Sequence, residues 1–446
     1  MRRQIGAIFV LGVRSALRSR LVMALFVLLI FITSGIKGDG TAAGELRMQL
    51  TWTLGTAFAV LSAASLWIGC STLAADIETG RHTGTAVSPV PPAFVWIGRW
   101  LAIVTVNVLL LAFVMVLLFI KLRTGAFTAG ETAVSRLLEI DPQSIEQMAL
   151  NDYNSAAEQG LIPPGISGEE VLELILKDLR TSYISVDPEV WVAWHFMLEK
   201  GDSLQPVRLK FSFVSPLGAS GGVEGYCEVR NEEEEVVAQL ALGEDDIGSV
   251  ELYIPAGELG DDASAFTVVF QNTADPETGT GVLVHHMESV KAYVPSGGMA
   301  LNMLKCWFAL SAMFALLAAI GVTCGSMFSF PVAAFVSTAI VCVLLLGQGS
   351  SFEEGMEAKT VHGAHENKTP TLLTEALNKT SGKIYSTVNA LMEPYTEVKA
   401  LDRLGDSIAI DMRLVGKCVF WTAIVQPFIF GAFGSYVLRR REFVFK

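Results

Sequence analysis

Six long apolar segments are the feature that most constrains how this chain of 446 residues folds. They cover residues 21–35, 50–74, 94–120, 301–325, 331–347 and 414–438. A bilayer core of about 30 Å needs about 20 apolar residues in a helix, and slightly fewer suffice. Charged residues make up 17% of the chain, against roughly 25% in a typical soluble domain. The pattern therefore predicts an α-helical integral membrane protein with six transmembrane helices.

The net charge of −13 is concentrated in one part of the chain. Of 32 Lys/Arg and 45 Asp/Glu residues in total, 10 and 30 lie between residues 121 and 298. The remainder, with 22 basic and 15 acidic residues, is mildly basic. An acidic segment of soluble character is therefore inserted between the third and fourth apolar segments.

Basic residues cluster beside the first and last apolar segments. They are Arg2, Arg3, Arg14, Arg18 and Arg20 before the first, and Arg439, Arg440, Arg441 and Lys446 after the last. Because cytoplasmic flanks of membrane helices are enriched in Lys and Arg, we expect both termini to be cytoplasmic. Six spans then place residues 75–100 inside the cell, and residues 121–299 and 348–413 outside.

Residues 1–20 interleave apolar side chains with the arginines, which predicts an amphipathic helix lying in the cytoplasmic interface. A plain basic flank is the alternative. A cleaved signal peptide is disfavoured, because the arginines interrupt any early apolar core.

The acidic insert predicts two parts of different structure. Residues 121–185 are predicted to be helical in places, with residues 169–179 showing an acidic first turn and helical spacing of apolar residues. From residue 186 to 298 the apolar period becomes two, with turn-rich breaks. The predicted strands are 191–197, 207–214, 222–230, 235–242, 249–255, 265–272, 279–286 and 288–295. Eight short strands favour an antiparallel, jelly-roll-like β-sandwich.

Metal or catalytic chemistry has little support in the residue pattern. The acidic runs 232–235 and 244–246 suit calcium in principle, but solvated turns are the favoured interpretation. His285 and His286 are neighbours on one predicted strand, so their rings point to opposite faces. The six cysteines lie mostly in apolar segments and form no CxxC pair. No phosphate loop, nucleophile elbow or dinucleotide fingerprint is present, so the chain is not predicted to be an enzyme.

Two polar residues inside the apolar segments have two interpretations each. Asn107 lies in the third segment and Gln426 in the sixth, just before Pro427. Helix–helix hydrogen bonding is the simpler interpretation for both, and lining a substrate path is the other.

The loop at 75–100 carries polar residues that a simple anchor does not need between two spans. It contains Asp76, Glu78, Gly80 and Arg81, then Ser88-Pro89 and Gly98-Arg99-Trp100. Two further short sequences belong to the pattern: Ser-Phe-Pro-Val-Ala at 329–333, between the fourth and fifth apolar segments, and Arg-Arg-Glu at 440–442, after the last. Together with the six spans, this pattern resembles the membrane permease of type-2 ATP-binding-cassette (ABC) exporters. The resemblance covers the membrane portion, about half of the chain. It does not extend to a leucine-rich coupling helix, since residues 82–87 are poor in leucine and include Gly84.

The resemblance implies a permease subunit energised by a separate ABC ATPase, which binds the ATP. The ATPase-docking residues would be Asp76, Glu78, Gly80, Arg81, Ser88 and Arg99. The partners would be that ATPase, a second permease copy and membrane lipids, without nucleic acid, in a bacterial inner membrane. The chain is thus expected to divide into seven segments. On the membrane side these are 1–20 (interfacial helix), 21–120 (spans one to three, with the coupling loop 75–93), 299–347 (spans four and five) and 414–446 (span six and cytoplasmic tail). On the external side they are 121–185 (helical segment), 186–298 (β-sandwich) and 348–413 (cap). The alternative function is a membrane-anchored external binding or assembly module.

Overall fold

The structure is a computed structural model, and it divides the chain into two compact units. The helical unit comprises Met1–Thr132 and Gly298–Lys446, and the β-rich unit comprises Ala133–Gly297. The residues it describes are 2–35, 46–78, 91–124, 133–158, 162, 168–214, 224–243, 248–260, 263–274, 281–285, 287–346, 390 and 392–441.

Eleven α-helices are found among the described residues, with two π-helices beside them. The α-helices are α1 (Arg2–Leu17), α2 (Arg20–Gly35), α3 (Leu54–Glu78), α4 (Pro92–Thr124), α5 (Pro142–Glu158), α6 (Gly168–Thr181), α7 (Met299–Met327), α8 (Phe330–Leu346), α9 (Ala400–Gly405), α10 (Met412–Cys418) and α11 (Gln426–Arg441). The π-helices, Gln49–Thr53 and Val419–Val425, directly precede α3 and α11. The sequence explains where two of these helices begin. Glu169 and Glu170 lie in the first turn of α6, where negative charge is favourable. The Asp411 carboxylate caps α10 by accepting a hydrogen bond from the Arg413 N–H at 2.9 Å.

Four described helical stretches are long and apolar enough to cross a membrane, which is compatible with a membrane-embedded protein. They are Leu46–Ala75, Pro92–Thr124, Met299–Met327 and Met412–Arg440. The pair α1 and α2, bent by 61°, gives a fifth if it is counted as one span. The sequence predicts six because it counts 21–35 and 331–347 as separate spans. The corresponding helices, α2 and α8, have 16 and 17 residues, so each is only about 25 Å long.

Helix α7 is the centre of the helical unit. In its most apolar window 89% of the residues are buried, whereas the other three long stretches reach 33% to 44%. Helices α3, α4, α8 and α11 all pack against it. A helix that is apolar all round and buried all round is a core element, and the exposed apolar sides of its neighbours are left for lipid or partner chains.

Small residues allow α3 and α7 to approach closely. A Cβ atom added to Gly321 would lie 2.7 Å from the Leu66 carbonyl oxygen and 3.1 Å from Gly69 Cα. One added to Gly325 would lie 2.5 Å from the Cys70 carbonyl oxygen. Gly321 and Gly325 are four residues apart, on one face of α7. This is the small-residue spacing by which membrane helices bring their backbones together.

Polar side chains connect the other helices to α7 or to α3. These contacts are Trp100 Nε1 to the Ala315 carbonyl (2.8 Å), Trp307 Nε1 to the Val108 carbonyl (3.2 Å), Thr323 Oγ1 to the Phe430 carbonyl (3.1 Å) and Cys70 Sγ with Ser337 Oγ (3.2 Å). Each hydrogen bond joins two helices at one position along their axes. Apolar contacts alone do not fix this axial position, so the hydrogen bonds set the register between the helices.

The described residues of the β-rich unit form ten strands, arranged in two four-stranded sheets and one pair. The strands are β1 (Ala133–Leu137), β2 (Tyr183–Val186), β3 (Trp191–Met197), β4 (Val207–Ser212), β5 (Gly225–Arg230), β6 (Val236–Leu242), β7 (Ser249–Ile254), β8 (Ala265–Asn272), β9 (Val282–His285) and β10 (Val290–Gly298). The sheet orders are β1-β10-β4-β7 and β3-β8-β5-β6, and β2 pairs with β9. Registered pairs such as β4–β7 and β3–β8 are antiparallel.

The two four-stranded sheets face each other across one aromatic-rich core. Phe211 of β4 lies 6.0 Å from the ring of Trp194 on β3 and 4.8 Å from the ring of Phe270 on β8. Alternate residues of both sheets, such as Leu209 and Val268, are buried in the same cluster. The predicted period of two is the reason, since alternate side chains of a strand reach one face.

Gly325→Leu tests the close packing of α3 and α7. The new side chain has no room against the Cys70 carbonyl, so the helices must separate, at a cost of about 1–3 kcal/mol for an overpacked site. We expect a lower midpoint of thermal unfolding for the detergent-solubilised chain.

Gly416→Leu is the matched control, because nothing lies within 4 Å of a Cβ added to this exposed helical glycine. Equal midpoints for the two variants would contradict the packing of α3 on α7.

Candidate functional site

The predicted docking loop lies mostly outside the described residues. Helix α3 ends at Glu78 and α4 begins at Pro92, and Gly80, Arg81 and Ser88 fall in the interval between them. Asp76 and Glu78 occupy the last turn of α3, and Arg99 lies within the first turns of α4. The structure therefore describes the two helices that carry the ends of the loop, and the docking role of its residues stays a prediction.

Helix α1 packs against the beginning of α4. A Cβ atom added to Gly12 would lie 2.7 Å from Ala102 Cβ, and one added to Gly98 would lie 2.7 Å from Ile8 Cγ2. Glycines on both helices thus permit a close crossing. An arginine-bearing helix consequently lies at the end of the bundle from which the loop leaves.

Asn107 links α3 to α4. Its side chain is fully buried, and Nδ2 donates to Ser65 Oγ at 2.9 Å and to the Ile103 carbonyl at 3.1 Å. This is the helix–helix hydrogen bond that the simpler interpretation predicted. A role for Asn107 in a substrate path stays a prediction.

Gln426 lies where the last long apolar helical stretch, Met412–Arg440, changes its winding. It is 1% exposed, and its backbone N–H donates to the Trp421 carbonyl, five residues back, at the end of the π-helix Val419–Val425. Pro427 follows and has no N–H to continue an α-helical ladder. In an α-helix the proline ring would clash with the carbonyl group four residues before it, and a wide π turn at this place relieves that clash. Turns of this kind occur often at functional positions.

Of the predicted cap, 348–413, the structure describes residue 390 and residues 392–413, and this segment is docked onto the start of α7. Asn302 Nδ2 donates to the Ile408 carbonyl at 2.8 Å, and the Ile410 N–H donates to Asn302 Oδ1 at 2.8 Å. Lys305 Nζ donates to the Ile410 carbonyl, also at 2.8 Å. These three hydrogen bonds, made with backbone groups of Ile408 and Ile410, hold this chain segment against α7.

The same segment also contacts the first π-helix. A Cβ added to Gly405 would lie 2.0 Å from Thr51 Oγ1, so a larger residue there would force the Thr51 side chain to move. Arg47 forms an ion pair with Asp406 at 3.0 Å. The cap therefore joins the beginnings of α3 and α7. This end of the bundle is opposite to the end of α3 and the beginning of α4, where the docking loop is attached.

Sequence reasoning did not find the two π-helices or the cap contacts of Asn302. Pro427 was a signal for the second π-helix. Nothing in the composition of Gln49–Thr53 distinguishes it from an α-helical turn. Asn302 lies at the beginning of the fourth apolar segment, and its two partners are more than 100 residues away in the chain.

No metal centre is found among the described residues, which contain no suitable group of three His, Cys, Asp or Glu side chains. The acidic run at 232–235 forms part of the turn between β5 and β6. Glu232 Oε1 accepts from the Ser264 and Ala265 backbone N–H groups at 2.9 and 3.0 Å. The hydrogen bond from the Ser264 hydroxyl, followed by those from the backbone, lowers the pKa of the Glu232 carboxyl. Burial raises the pKa of the Cys227 thiol to about 12, so it carries no thiolate at neutral pH. The run 244–246 and His286 lie outside the described residues.

No protein-family model, no curated protein and no solved structure matches this chain.

Asn302→Ala tests the attachment of the cap to α7. The substitution leaves the Ile408 carbonyl and the Ile410 N–H without their partner, and each buried unsatisfied group costs about 1–3 kcal/mol. We expect hydrogen exchange in residues 400–411 of the full chain to rise by about tenfold or more, because local opening becomes easier.

Asn107→Ala is the control, since it removes the same side chain from another buried position. Unchanged exchange in residues 400–411 of Asn302→Ala, or an equal rise in Asn107→Ala, would contradict the attachment.

Proposed function

We propose that this chain is the transmembrane permease subunit of an ATP-driven ABC exporter, with ATP hydrolysed by a separate ATPase subunit. The observation that carries the proposal is the bundle around α7, whose apolar window is 89% buried and against which α3, α4, α8 and α11 pack. A protein that only anchors an external domain needs spans but not a buried central helix. A permease needs such a rigid bundle, since it transmits movement from one membrane face to the other.

The topology we propose has six spans with both termini in the cytoplasm of a bacterial inner membrane. Helices α2 and α8 cross as short spans, which a bilayer accommodates by local thinning at a modest cost. The cap contacts at the start of α7 and the docking loop at the end of α3 lie at opposite ends of the bundle. This arrangement supports an outer position for the cap and a cytoplasmic position for the loop.

The loop 75–100 is the proposed contact with the ATPase, through Asp76, Glu78, Gly80, Arg81, Ser88 and Arg99. Charged groups at such a contact set the register of the partner more than they add affinity. Displacement of the loop would act on α3, and the glycine contacts of α3 with Gly321 and Gly325 would pass it to α7.

The substrate path is proposed to form between two permease copies, with Asn107 and Gln426 as the candidate polar residues. Cavities on the described helices of one copy are lined by apolar side chains. The cavity between α4 and α11, about 380 Å³, is lined by residues that include Trp96, Trp100 and Phe428. Such surfaces suit lipid or a second copy.

The external insert is proposed to be a jelly roll. If β2 and β9 are left out, the other eight strands can be numbered one to eight along the chain. The sheet β1-β10-β4-β7 then has the order 1-8-3-6, and the sheet β3-β8-β5-β6 has the order 2-7-4-5. That order is the one produced when a long antiparallel hairpin is rolled into two facing sheets, and it supports the proposal.

The external sandwich also supports the alternative function, a membrane-anchored binding or assembly module.

Purification of the tagged full chain from its native membranes distinguishes the two functions. The exporter predicts a co-purifying subunit with ATP hydrolysis activity, and Asp76→Lys with Glu78→Lys should reduce its recovery by about tenfold or more, since both changes repel a basic partner surface.

Glu169→Lys with Glu170→Lys is the matched control, because it makes the same charge change on α6 of the external unit. If ATP hydrolysis activity never accompanies the chain, or if the two double variants recover it equally, the exporter proposal fails.

A further inference from the structure

The outer face of the β3-β8-β5-β6 sheet carries an ordered set of polar and aromatic side chains. Register places Trp191 opposite Gln271, and Gln271 opposite Tyr226 on the next strand. Four positions along from Trp191, His195 lies opposite Thr267, and four positions along from Tyr226, Arg230 lies opposite the same Thr267. All of these residues alternate with the core residues of their strands, so they face away from the core.

Between those two rows the floor of the face is formed by small residues. Ala193 and Val269 are paired in the register and are 7% and 8% exposed, although they are on the outer face. Taller side chains stand on both sides of them along the strands: Trp191 and His195 on β3, and Gln271 and Thr267 on β8. These taller side chains leave little of Ala193 and Val269 accessible, so the two residues form the low, largely covered middle of the face. We call this row, together with the taller rows beside it, the trough.

The polar side chains around the trough are held in place by one another. Tyr226 Oη donates to Gln271 Oε1, and His195 Nδ1 and Thr267 Oγ1 lie 2.9 Å apart. Arg230 Nη2 donates to Glu228 Oε2 at 2.9 Å, and Gln239 Nε2 donates to the other oxygen of Glu228 at 3.3 Å. Side chains fixed in this way lose little conformational entropy when their remaining donors and acceptors meet a ligand.

Trp191 is the exposed aromatic of this face. Its side chain is 63% exposed and therefore accessible to a ligand. Tyr226 lies two strands away, at about 10 Å. The electron-rich face of an indole attracts polarised C–H groups, and a tryptophan offers a large contact area with few rotatable bonds.

The charges of the face indicate the class of ligand. Glu228 and Arg230 neutralise each other, so the trough has no net charge of its own. The surrounding segment, with 30 acidic against 10 basic residues between 121 and 298, repels polyanions such as nucleic acid or phosphate-rich polymers. A ligand that stacks apolar C–H groups on a ring and presents hydroxyl groups to amide, imidazole and guanidinium groups is a saccharide.

We propose that this trough, formed by Trp191, Ala193, His195, Gln271, Tyr226 and Glu228 with Arg230, binds a neutral saccharide chain. The chain lies across the strands, with one sugar ring on Trp191 and hydroxyl groups bonded to Gln271 and His195. The inference does not depend on the transport function. It holds equally for an exporter and for an anchored module.

The test is binding of neutral oligosaccharides to the full chain in lipid nanodiscs free of sugar-headed detergents, which would compete. Hexaoses of glucose, mannose, xylose and N-acetylglucosamine are the probes, and polygalacturonate and an unrelated decapeptide are the comparison ligands. We expect saturable binding of at least one neutral hexaose. Trp191→Ala should weaken it by about tenfold or more, as for other central aromatic anchors.

Tyr253→Ala is the matched control, because Tyr253 is 62% exposed on β7 of the opposite sheet. It should bind like the unmodified chain. Gln271→Ala should weaken binding without changing the thermal midpoint, which separates a lost contact from a lost fold. The proposal is overturned if no neutral hexaose binds, if the decapeptide or polygalacturonate binds at the Trp191 face instead, or if Trp191→Ala and Tyr253→Ala behave alike.

The origin of the saccharide is a separate arm of the same experiment. Binding of a glycan extracted from the cell envelope points to attachment of the external unit to the envelope. Binding of a glycan recovered from the growth medium, in amounts that depend on this chain, points to an exported substrate. Either result supports the site.

Discussion

The approach of α3 to α7 through Gly69, Gly321 and Gly325 is the contact on which the rest of the helical unit depends. In lipid the hydrophobic effect does not drive helices together, so shape and hydrogen bonds must do so. The glycines bring two backbones to distances that no side chain permits. Once α3 and α7 are joined, Trp100 and Trp307 can attach α4 to the same central helix, and Thr323 can attach α11.

The two ends of the bundle around α7 differ in the residues that they carry. At the start of α7, Asn302 and Lys305 use their side chains to hold backbone groups of the segment at 408–410. Toward the other end, α3 and α4 lead into the loop that carries Asp76, Glu78, Gly80 and Arg81. Helix α7 therefore extends from the hydrogen-bonded cap toward the end of the bundle at which α3 ends and α4 begins. This asymmetry is what a transport protein driven from one side requires, and it is the physical basis of the proposed function.

Much of the fold was predictable where one physical rule dominates. The strands Trp191–Met197 and Ala265–Asn272 agree with the predicted bounds, because alternation between core and surface leaves a strong period of two. Strands β1 and β2 were missed, since they are short and lie within a segment whose helical signals are stronger. The burial of α7 was not predictable from apolarity, because a helix facing lipid and a helix facing other helices have similar composition. Asn107 was identified from its position in an apolar run, but its partner Ser65 is on another helix and no local pattern indicates it.

Labelling of single cysteines from one side of the membrane tests the central claim, a six-span bundle with its loop inside and its cap outside. Gly84→Cys and Thr360→Cys, each in a chain whose six native cysteines are replaced, would be exposed to a membrane-impermeant maleimide in intact cells. The account predicts labelling at 360 in intact cells and labelling at 84 only after the membrane is opened. Labelling of both positions from the same side would contradict it.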